Sequence, residues 1–447
     1  MNQHEDPSMN QREDPSMNQR EDPSMNQRED PRMNHLAING GPKAIAEPLP
    51  SFRDHSGRSL GEDEIAELTS VIRSGALSFL TGRKTAAFEQ AFAELLGVRQ
   101  AVAVANGTAA LHAAVIYLIP EPGDEIILSP VTVMGTAIPI MAQLAVPVFA
   151  DVDPATQNIT ASTIEACLTP RTRAIIVTHV FGAPADMDPI MELAARHGLF
   201  VIEDCAQAHL ATYKGRVCGS IGHIACFSFQ QSKHMTTGDG GMVVANEDQR
   251  FGRELRLCGD KGWPRSRGGR DHLFLALNYH MTELQAAGGL AQWRKLPGMV
   301  QARVAAAEHL TARLRSVDVA PAAILPECRG VFFFYAFRLH PARLRVPVKE
   351  VMRALAAEGI DGFIGYPGPI PLYRYPVIRE HKTFGSSGWP FTLPGASAGR
   401  NHDSALCPVA EKACAETVCL WWSESLTAMH ADRIGDAIEK VVTAYAS

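Results

Sequence analysis

The sequence lacks the cysteine spacings that mark a zinc site or a disulfide framework. Its nine cysteines are scattered through 447 residues, and none of them forms a Cys-x-x-Cys pair or a Cys/His zinc set. This usage is typical of reduced thiols, so we expect a cytoplasmic protein without a bound metal.

Long apolar runs and an excess of one charge are also missing. The longest apolar run, AIPIMAQLAVPVFA from Ala137, is too short to cross a membrane and contains two prolines. Charged residues make up 20% of the chain, and the formal net charge is −6. This balance argues against a membrane and against nucleic acid as partners, because nucleic-acid-binding surfaces are usually basic.

The N-terminus contains a repeat. Residues 1–32 read MNQHEDPS, MNQREDPS, MNQREDPS and MNQREDPR. Methionine is their only apolar residue and each octad contains a proline, so we expect a disordered tail that holds no functional residue. The repeat also lacks the apolar stretch of a secretory signal. Either the tail belongs to the native protein, or translation starts at Met33.

Seven short apolar runs between residues 100 and 246 predict β-strands that alternate with helical segments. They are AVAVA from Ala101, EIILS from Glu125, PVFAD from Pro147, AIIVTH from Ala174, LFVIED from Leu199, IACFSF from Ile224 and MVVAN from Met242. Their near-continuous valine and isoleucine content is typical of a mostly parallel sheet with helices on both faces. Such a sheet presents ligand-binding groups at the carboxyl ends of its strands.

The character of the sequence changes near Leu296, where a polar helix leads to GVFFFYAFRLH and, at the end of the chain, to the helix ADRIGDAIEKVVTAYA. We expect an α/β protein in which residues 33–295 form an N-terminal arm and a large domain. Residues 296–447 are expected to form a smaller C-terminal α/β domain. The aromatic run VFFFYAF is expected to be a core strand.

Asn106, Gly107 and Thr108 lie where the first predicted strand turns into an alanine-rich helix. The free N–H groups and the positive dipole end of a helix start can bind a phosphate, and glycine allows a close approach. The alternative is an ordinary helix cap by Asn106 or Thr108. The chain has no GxxxxGK[ST] motif, which excludes the NTPase form of such a site.

Asp204 and Lys233 follow two other predicted strands and are expected at the same edge of the sheet. Asp204 closes LFVIED, where a buried carboxylate needs a cationic partner unless it caps the next segment. Lys233 follows IACFSF and precedes a glycine-rich turn. Pyridoxal phosphate requires a lysine amine for its Schiff base, a carboxylate for its ring nitrogen and a phosphate cup. The sequence therefore predicts a pyridoxal-phosphate site.

Seven ordered segments resemble the DegT/DnrJ/EryC1/StrS aminotransferase family. They are NGTAALHAA, EPGDEIILSPVT, GAPADMDPI, VIEDCAQAH, GSIGHIACFSFQQSK, GDGGMVV and LNYHMTELQAAGGLAQWRKL. The resemblance extends from about Gly40 to the C-terminus. It implies the aspartate-aminotransferase-like fold (fold type I), pyridoxal 5′-phosphate as cofactor and a homodimer with shared active sites.

The same resemblance implies roles for single residues. Lys233 corresponds to the Schiff-base lysine, Asp204 to the partner of the pyridine nitrogen, and Gln207 to a residue near the cofactor's 3-hydroxyl. The other implied cofactor-binding residues are Gly107, Thr108, Ala109, Val133, Ser228 and Asn278. Among these, Asn278 corresponds to a residue that reaches the phosphate from the neighbouring subunit. Val133 stands where relatives often place an aromatic ring on the cofactor.

The residues around Lys233 favour amino transfer to a ring ketone. The family's dehydratases have histidine at this position, whereas His234 lies one place later here. SFQQSK and the short turn after it are similar to the subgroup that aminates keto-cyclitols (L-glutamine:scyllo-inosose aminotransferases). The resemblance therefore implies transfer from L-glutamine or L-glutamate to a keto group on a cyclitol- or sugar-like ring, in aminocyclitol or amino-sugar biosynthesis.

Three alternatives stay open. They are a dehydratase/aromatase of the 3-amino-5-hydroxybenzoate synthase type, a nucleotide-sugar aminotransferase, and a cofactor-binding partner subunit without activity. The partner subunit without activity is kept because His280, FFFYAF and LWWSES depart from the family's pocket motifs. The basic loop at 260–272 is either a lid over an anionic substrate or a solvated loop.

Overall fold

The computed structural model describes residues 31–246, 254–265, 268, 271–394, 396 and 406–447. The predicted tail at 1–32 lies almost wholly outside these residues. The α-helices of the described residues, numbered in chain order, are α1 (Pro31–Asn34), α2 (Glu62–Ser74), α3 (Lys84–Leu96), α4 (Gly107–Leu118), α5 (Met134–Ala142), α6 (Ala161–Glu165), α7 (Met187–His197), α8 (Leu255–Cys258), α9 (Glu283–Arg313), α10 (Val348–Ala357), α11 (Pro376–Arg379), α12 (Pro408–Glu416) and α13 (Ala428–Tyr445).

The strands are numbered in the same way. They are β1 (Gln100–Val104), β2 (Glu125–Leu128), β3 (Val146–Phe149), β4 (Thr172–Thr178), β5 (Phe200–Asp204), β6 (Thr212–Tyr213), β7 (Arg216–Val217), β8 (Ile224–Ser228), β9 (Gly241–Ala245), β10 (Ala320–Pro321), β11 (Cys328–Arg329), β12 (Phe334–Arg338), β13 (Gly362–Ile364) and β14 (Thr417–Trp421). The seven predicted strands are therefore confirmed.

These seven strands form one sheet in the order β1-β9-β8-β5-β4-β2-β3. The strand pairs β8–β5, β5–β4, β4–β2 and β2–β3 are parallel, whereas β9 runs antiparallel to both β1 and β8. The expectation of a mostly parallel sheet is confirmed. The reversed strand has a local cause, because β9 follows β8 through a short connection that contains no crossover helix.

Both faces of this sheet are buried, as the apolar strand composition predicts. On β8, Ile224 and Cys226 belong to the core shared with α4, α5 and α7, whereas Ala225 and Phe227 belong to the core shared with α3 and the first half of α9. This alternation has the period of two that a strand requires. The helices on the two faces hold the strand ends, and with them the site, in place.

A second sheet, in the order β10-β12-β14-β13, is antiparallel throughout and packs on α10 and α13. A three-stranded sheet, β11-β6-β7, joins the two parts of the chain. The arm before α2 also reaches the smaller part, where Leu36 and Ile45 are buried in its core. The side chain of Glu358 anchors the arm by accepting hydrogen bonds from the backbone N–H groups of Ala37 and Ala44 at 2.8 and 2.9 Å.

The expected boundary at residue 296 lies inside α9. This helix runs unbroken across it, although it contains Pro297. Residues Leu296 to Val304 of the helix pack on the large sheet, and residues from Ala306 onward pack in the core of the small part. The division into 33–295 and 296–447 stays a prediction, with α9 shared between the two units.

A buried carboxylate holds β5 against the segment that leads into β8. Glu203 is inaccessible to solvent and accepts hydrogen bonds from the N–H groups of Gly219, Ile221 and Gly222 at 2.6–2.8 Å. Nε2 of His179 lies 3.0 Å from the same carboxylate, while its Nδ1 accepts a hydrogen bond from the N–H of Ala185.

The ligand atoms of His179, Glu203 and Cys205 lie within 4.8 Å of one another, a spacing that would suit a metal ion. The hydrogen bonds of His179 and Glu203 occupy their ligand atoms, so we interpret the group as structural. No helix among the described residues combines the length and the apolarity needed to cross a membrane.

Replacing Glu203 by glutamine should lower the free energy of unfolding by about 3 kcal/mol, because the amide can no longer accept all the hydrogen bonds of the buried carboxylate. Urea denaturation measures this change. Glu192→Gln, on the exposed face of α7, is the matched control and should leave the denaturation midpoint unchanged. Equal midpoints for the two variants would show that Glu203 does not hold the strands together.

Candidate active site

A cavity of about 800 Å³ lies between the large sheet and the second sheet. On one side it is lined by the end of β5, the end of β8 and the start of α4; on the other side it is lined by residues of β12, β13, β14 and α10. Six predicted site residues line it: Gly107, Thr108, Val133, Asp204, Ser228 and Lys233. A second cavity, of about 540 Å³, contains none of the predicted site residues.

Lys233 lies in the connection between β8 and β9, and its backbone is fixed on both sides. Its N–H donates to the carbonyl of Gln230 at 2.9 Å, and its own carbonyl accepts from Nη1 of Arg58 at 2.9 Å. The Nζ atom lies 4.1 Å from the centroid of the Phe333 ring. Burial lowers the pKa of Lys233 from 10.5 to about 8, although the nearby Asp204 carboxylate raises it. About a tenth of this amine is therefore neutral at pH 7, far more than for an ordinary lysine, and able to act as a nucleophile.

Asp204 is the last residue of β5 and is buried at the base of the cavity. Its Oδ2 accepts a hydrogen bond from the hydroxyl of Thr136 at 2.9 Å, and its Oδ1 accepts from the N–H of Ala206 at 3.1 Å. These two donors orient the carboxylate, and both oxygens keep a free lone pair for a further donor. The prediction that Asp204 and Lys233 meet at one edge of the sheet is confirmed.

The start of α4 is capped as the simpler alternative predicts, since the Asn106 side chain accepts from the N–H of Ala109 at 2.8 Å. The cap and an anion site are compatible here, because Gly107 and Thr108 still face the cavity. A Cβ atom on Gly107 would come within 2.7 Å of the Cβ of Ser228. Glycine is therefore required where α4 meets β8, and the close approach places Ser228 beside the helix start.

Val133, Gln207 and Asn278 lie in three different environments. Val133 lines the cavity, next to the first turn of α5. Gln207 is buried behind the cavity wall, where its amide donates to the hydroxyl of Tyr366 at 3.1 Å and accepts from the N–H of Phe181 at 2.9 Å. Asn278 is exposed on the surface and does not line the cavity. Ala109 does not line the cavity either, and its N–H is used by the cap.

An aromatic wall faces the lysine, and none of its residues was among the predicted site residues. We define it as Phe333, Phe334, Phe363, Tyr366 and Trp421, all of which line the cavity. The ring centroid of Phe334 lies 4.8 Å from the ring centroid of Trp421. The corresponding distances to the centroids of Phe363 and Tyr366 are 5.2 and 5.3 Å. The expectation that VFFFYAF is a core strand holds for β12. Phe334 at the start of this strand, and Phe333 just before it, nevertheless line the cavity.

Thr136, which orients Asp204, was also missed. Its signal in the sequence was its place in SPVTVMGT, three residues after Val133 and so one helical turn along α5.

Two histidines lie behind the lysine, and neither lines the cavity. Burial, together with the charges of Lys233 and Arg303, lowers the pKa of His209 to about 3. Burial also lowers the pKa of His234, whose Nε2 lies 3.0 Å from the carbonyl oxygen of Val331. Both imidazoles are therefore neutral and pack beside the lysine loop.

The basic loop at 260–272 is partly held by its own residues. Arg265 donates to Asp260 at 2.5 and 3.0 Å and stacks on Trp263, while His280 also contacts Asp260 at 2.8 Å. Arg267 and Arg270 lie outside the described residues.

The residues around the cavity fit pyridoxal phosphate. The depressed pKa of Lys233 supplies a reactive amine, and Asp204 offers a buried, oriented carboxylate. The Gly107 helix start and the hydroxyl residues Thr108 and Ser228 form a cup of the kind that binds phosphate. The cavity volume of about 800 Å³ lies within the range that cofactor sites occupy.

The comparisons with known proteins identify the family of the chain. Residues 58–439 match the DegT/DnrJ/EryC1/StrS aminotransferase family. GDP-perosamine synthase from Caulobacter vibrioides is 41% identical over 285 residues, which is 63% of this chain and 75% of that relative. A putative L-glutamine:3-amino-2,3-dideoxy-scyllo-inosose aminotransferase from Streptoalloteichus tenebrarius is 34% identical over 425 residues, covering 91% of this chain and 97% of the relative.

Among solved structures, an aminotransferase from Psychrobacter cryohalolentis is 30% identical, with a TM-score of 0.76. The match covers 87% of this chain and 98% of that chain. The fold, the cavity and the sequence matches lead to the same assignment. The chain belongs to the DegT/DnrJ/EryC1/StrS aminotransferase family, and it is a pyridoxal-phosphate-dependent aminotransferase of fold type I.

Proposed function

We propose that the protein transfers the amino group of L-glutamine or L-glutamate to a keto group on a cyclitol- or sugar-like ring. One observation carries the proposal: a reactive lysine, a buried carboxylate and a phosphate cup open into a cavity with an aromatic wall. The relative from Streptoalloteichus tenebrarius, which matches most of this chain, is named for amino transfer from glutamine to a cyclitol ketone.

Bound pyridoxal phosphate supplies an electron sink that lets the α-carbon of an amino acid lose its proton. Lys233 would hold the cofactor through its amine. The same amine would take the proton from the amino acid's α-carbon and return it during the transfer. The lowered pKa of Lys233 suits both directions of this transfer, because a base works best when its pKa lies near the working pH.

Asp204 would keep the ring nitrogen of bound pyridoxal phosphate protonated. The contacts from Thr136 and Ala206 already hold the carboxylate in one orientation. Thr108, Ser228 and the start of α4, which line the cavity, would hold the phosphate.

The aromatic wall binds the acceptor. Its rings pack against the C–H face of a six-membered ring and keep water away from the reacting carbon. A nucleotide-sugar ketone is a second candidate acceptor, favoured by the likeness to GDP-perosamine synthase.

We also propose a homodimer with shared active sites. Leu273, Leu275 and Leu277 lie at alternate positions of one segment and are all exposed, with Leu275 82% accessible. The exposed Asn278 follows them directly. An apolar row of this kind is typical of an interface, and a second subunit over it would bring Asn278 towards the partner's cavity.

The amino transfer can be tested in two steps. The holoprotein mixed with L-glutamine or L-glutamate should lose the visible absorption of the lysine-bound cofactor and form the keto acid, because the donor replaces Lys233 on the cofactor. The aminated cofactor form should then react with a panel of keto-cyclitols and keto-sugars, and mass spectrometry should detect the amine product.

Lys233→Ala should lose turnover by at least about 100-fold. No response to any donor would favour a partner subunit without activity, and loss of water from the acceptor would favour a dehydratase.

The rate at which the cofactor-free protein captures pyridoxal phosphate should rise with pH and level off above about 8, since the neutral amine is the nucleophile and burial lowers the pKa of Lys233 to about 8. Below that value the rate should fall by roughly tenfold per pH unit. In Asp204→Asn the midpoint should move to lower pH, because the carboxylate raises the lysine pKa. A midpoint near the ordinary lysine value would contradict the assignment of Lys233.

Leu275→Asp should shift the protein from dimer to monomer, because a charge in an apolar interface is costly. Light scattering after size-exclusion chromatography measures the mass. Met429→Asp, which also replaces an exposed apolar side chain but on α13, should leave the mass unchanged. A wild-type protein that elutes as a monomer would rule out the dimer.

A further inference from the structure

Two arginines and one glutamate form a buried charged cluster behind the lysine. Nη2 of Arg303 lies 3.1 Å from Oε2 of Glu424, and Nη1 of Arg58 lies 3.5 Å from the same oxygen. The other oxygen of Glu424 accepts from the N–H of Ser59 at 3.2 Å. We refer to Arg58, Arg303 and Glu424 as the arginine–glutamate cluster.

The cluster is almost completely excluded from solvent. The side chains of Arg58, Arg303 and Glu424 are 1%, 0% and 2% accessible. Two guanidinium groups share one carboxylate, so a net positive charge is buried. In addition, Nε and Nη2 of Arg58 and Nε of Arg303 have no hydrogen-bond partner among the described residues. Such an arrangement lowers the free energy of unfolding, because one carboxylate does not offset the desolvation of two buried guanidinium groups.

The contacts of the cluster show which segments of the chain it holds in place. Arg58 donates to the carbonyl oxygen of Lys233 at 2.9 Å. Arg303 donates to the carbonyl oxygen of Trp422 at 2.6 Å and to that of Phe332 at 3.4 Å. Each accepting residue is, or directly adjoins, a residue that lines the cavity, namely Lys233, Trp421 and Phe333.

These three cavity segments are far apart in the chain and share no strand. Lys233 belongs to the large sheet's β8–β9 connection, Phe333 precedes β12, and Trp421 ends β14. Glu424 couples the arginine that holds the first segment to the arginine that holds the other two. A shift of either arginine therefore changes the position of the amine relative to the aromatic wall, against which its Nζ lies at 4.1 Å from the Phe333 centroid.

We propose that the arginine–glutamate cluster positions Lys233 relative to the aromatic wall, with Arg58 as the residue that holds the lysine backbone. The proposal rests on the proposed function of Lys233. Arg58, Arg303 and Glu424 do not line the cavity and act through the backbone carbonyls that they bind. Lys233 must reach the cofactor in the resting enzyme and the α-carbon proton during turnover, so a small displacement of its backbone slows both steps.

Arg58→Met separates this role from a contribution to stability. It removes the donor to Lys233 and leaves Arg303 and Glu424 as a balanced pair, so the melting temperature of the holoenzyme should stay within about 2 °C of wild type or rise. The kcat should fall by about 10- to 100-fold, with the KM for the amino donor changed less than about threefold. The visible circular dichroism of the bound cofactor should change, because it reports how the cofactor is held against the wall.

Arg313→Met is the matched control. It replaces an arginine on the same helix as Arg303, paired at the surface with Asp436 and Glu439, and should leave kcat and the visible circular dichroism unchanged. The proposal is wrong if Arg58→Met turns over at the wild-type rate per bound cofactor, or if its loss of activity matches a loss of folded protein.

If Arg58→Met does not fold, Arg58→Lys provides the test. It keeps the buried charge, but one ammonium group cannot bind the Lys233 carbonyl and Glu424 in the fixed geometry of a guanidinium, so kcat should fall by about 3- to 10-fold. An unchanged kcat in that folded variant would overturn the proposal. Failure of the proposed function is detected separately on the wild-type holoenzyme. Borohydride reduction and peptide mapping would then find no cofactor on Lys233, whatever the Arg58 variants do.

Discussion

The site depends on one interaction, that of the buried Lys233 amine with the nearby Asp204 carboxylate in a largely apolar cavity. Burial lowers the pKa of Lys233, and Asp204 limits that shift, so the pKa is about 8. If the carboxylate lay much closer, the amine would stay charged; with a more polar wall, it would regain its ordinary pKa. The strand ends supply the carboxylate and the aromatic wall supplies the apolar surroundings, so both set the pKa of Lys233.

The large sheet supplies the first half of the arrangement. Parallel strands β5 and β8 end at the same edge, which brings Asp204, Ser228 and the lysine loop together. Successive side chains of β5 point to opposite faces, so the adjacent residues Glu203 and Asp204 lie in different environments. Glu203 points into the core and is satisfied by backbone N–H groups and His179, whereas Asp204 faces the cavity. One carboxylate therefore stabilises the sheet, and the next is available for chemistry.

The small part of the molecule supplies the second half. Its strands β12, β13 and β14 bring aromatic rings to the lysine, and α9 packs on both parts of the chain. The arginine–glutamate cluster lies where these parts meet, and its cost in buried charge is understandable if it holds the amine against the rings.

The seven strands, Lys233, Asp204 and Gly107 could be predicted from the sequence, because each depends on local information. A run of apolar residues with strand length indicates a strand, and a charged residue directly after a buried strand indicates a site. The reversed direction of β9, the aromatic wall and the arginine–glutamate cluster could not be predicted in this way. Arg58 meets Lys233 across 175 positions of sequence and Glu424 across 366, and no local pattern records such contacts. The sequence by itself determined which residues have the right chemistry; the tertiary structure decided which of them face the same cavity, because that depends on how two sheets and one shared helix pack together.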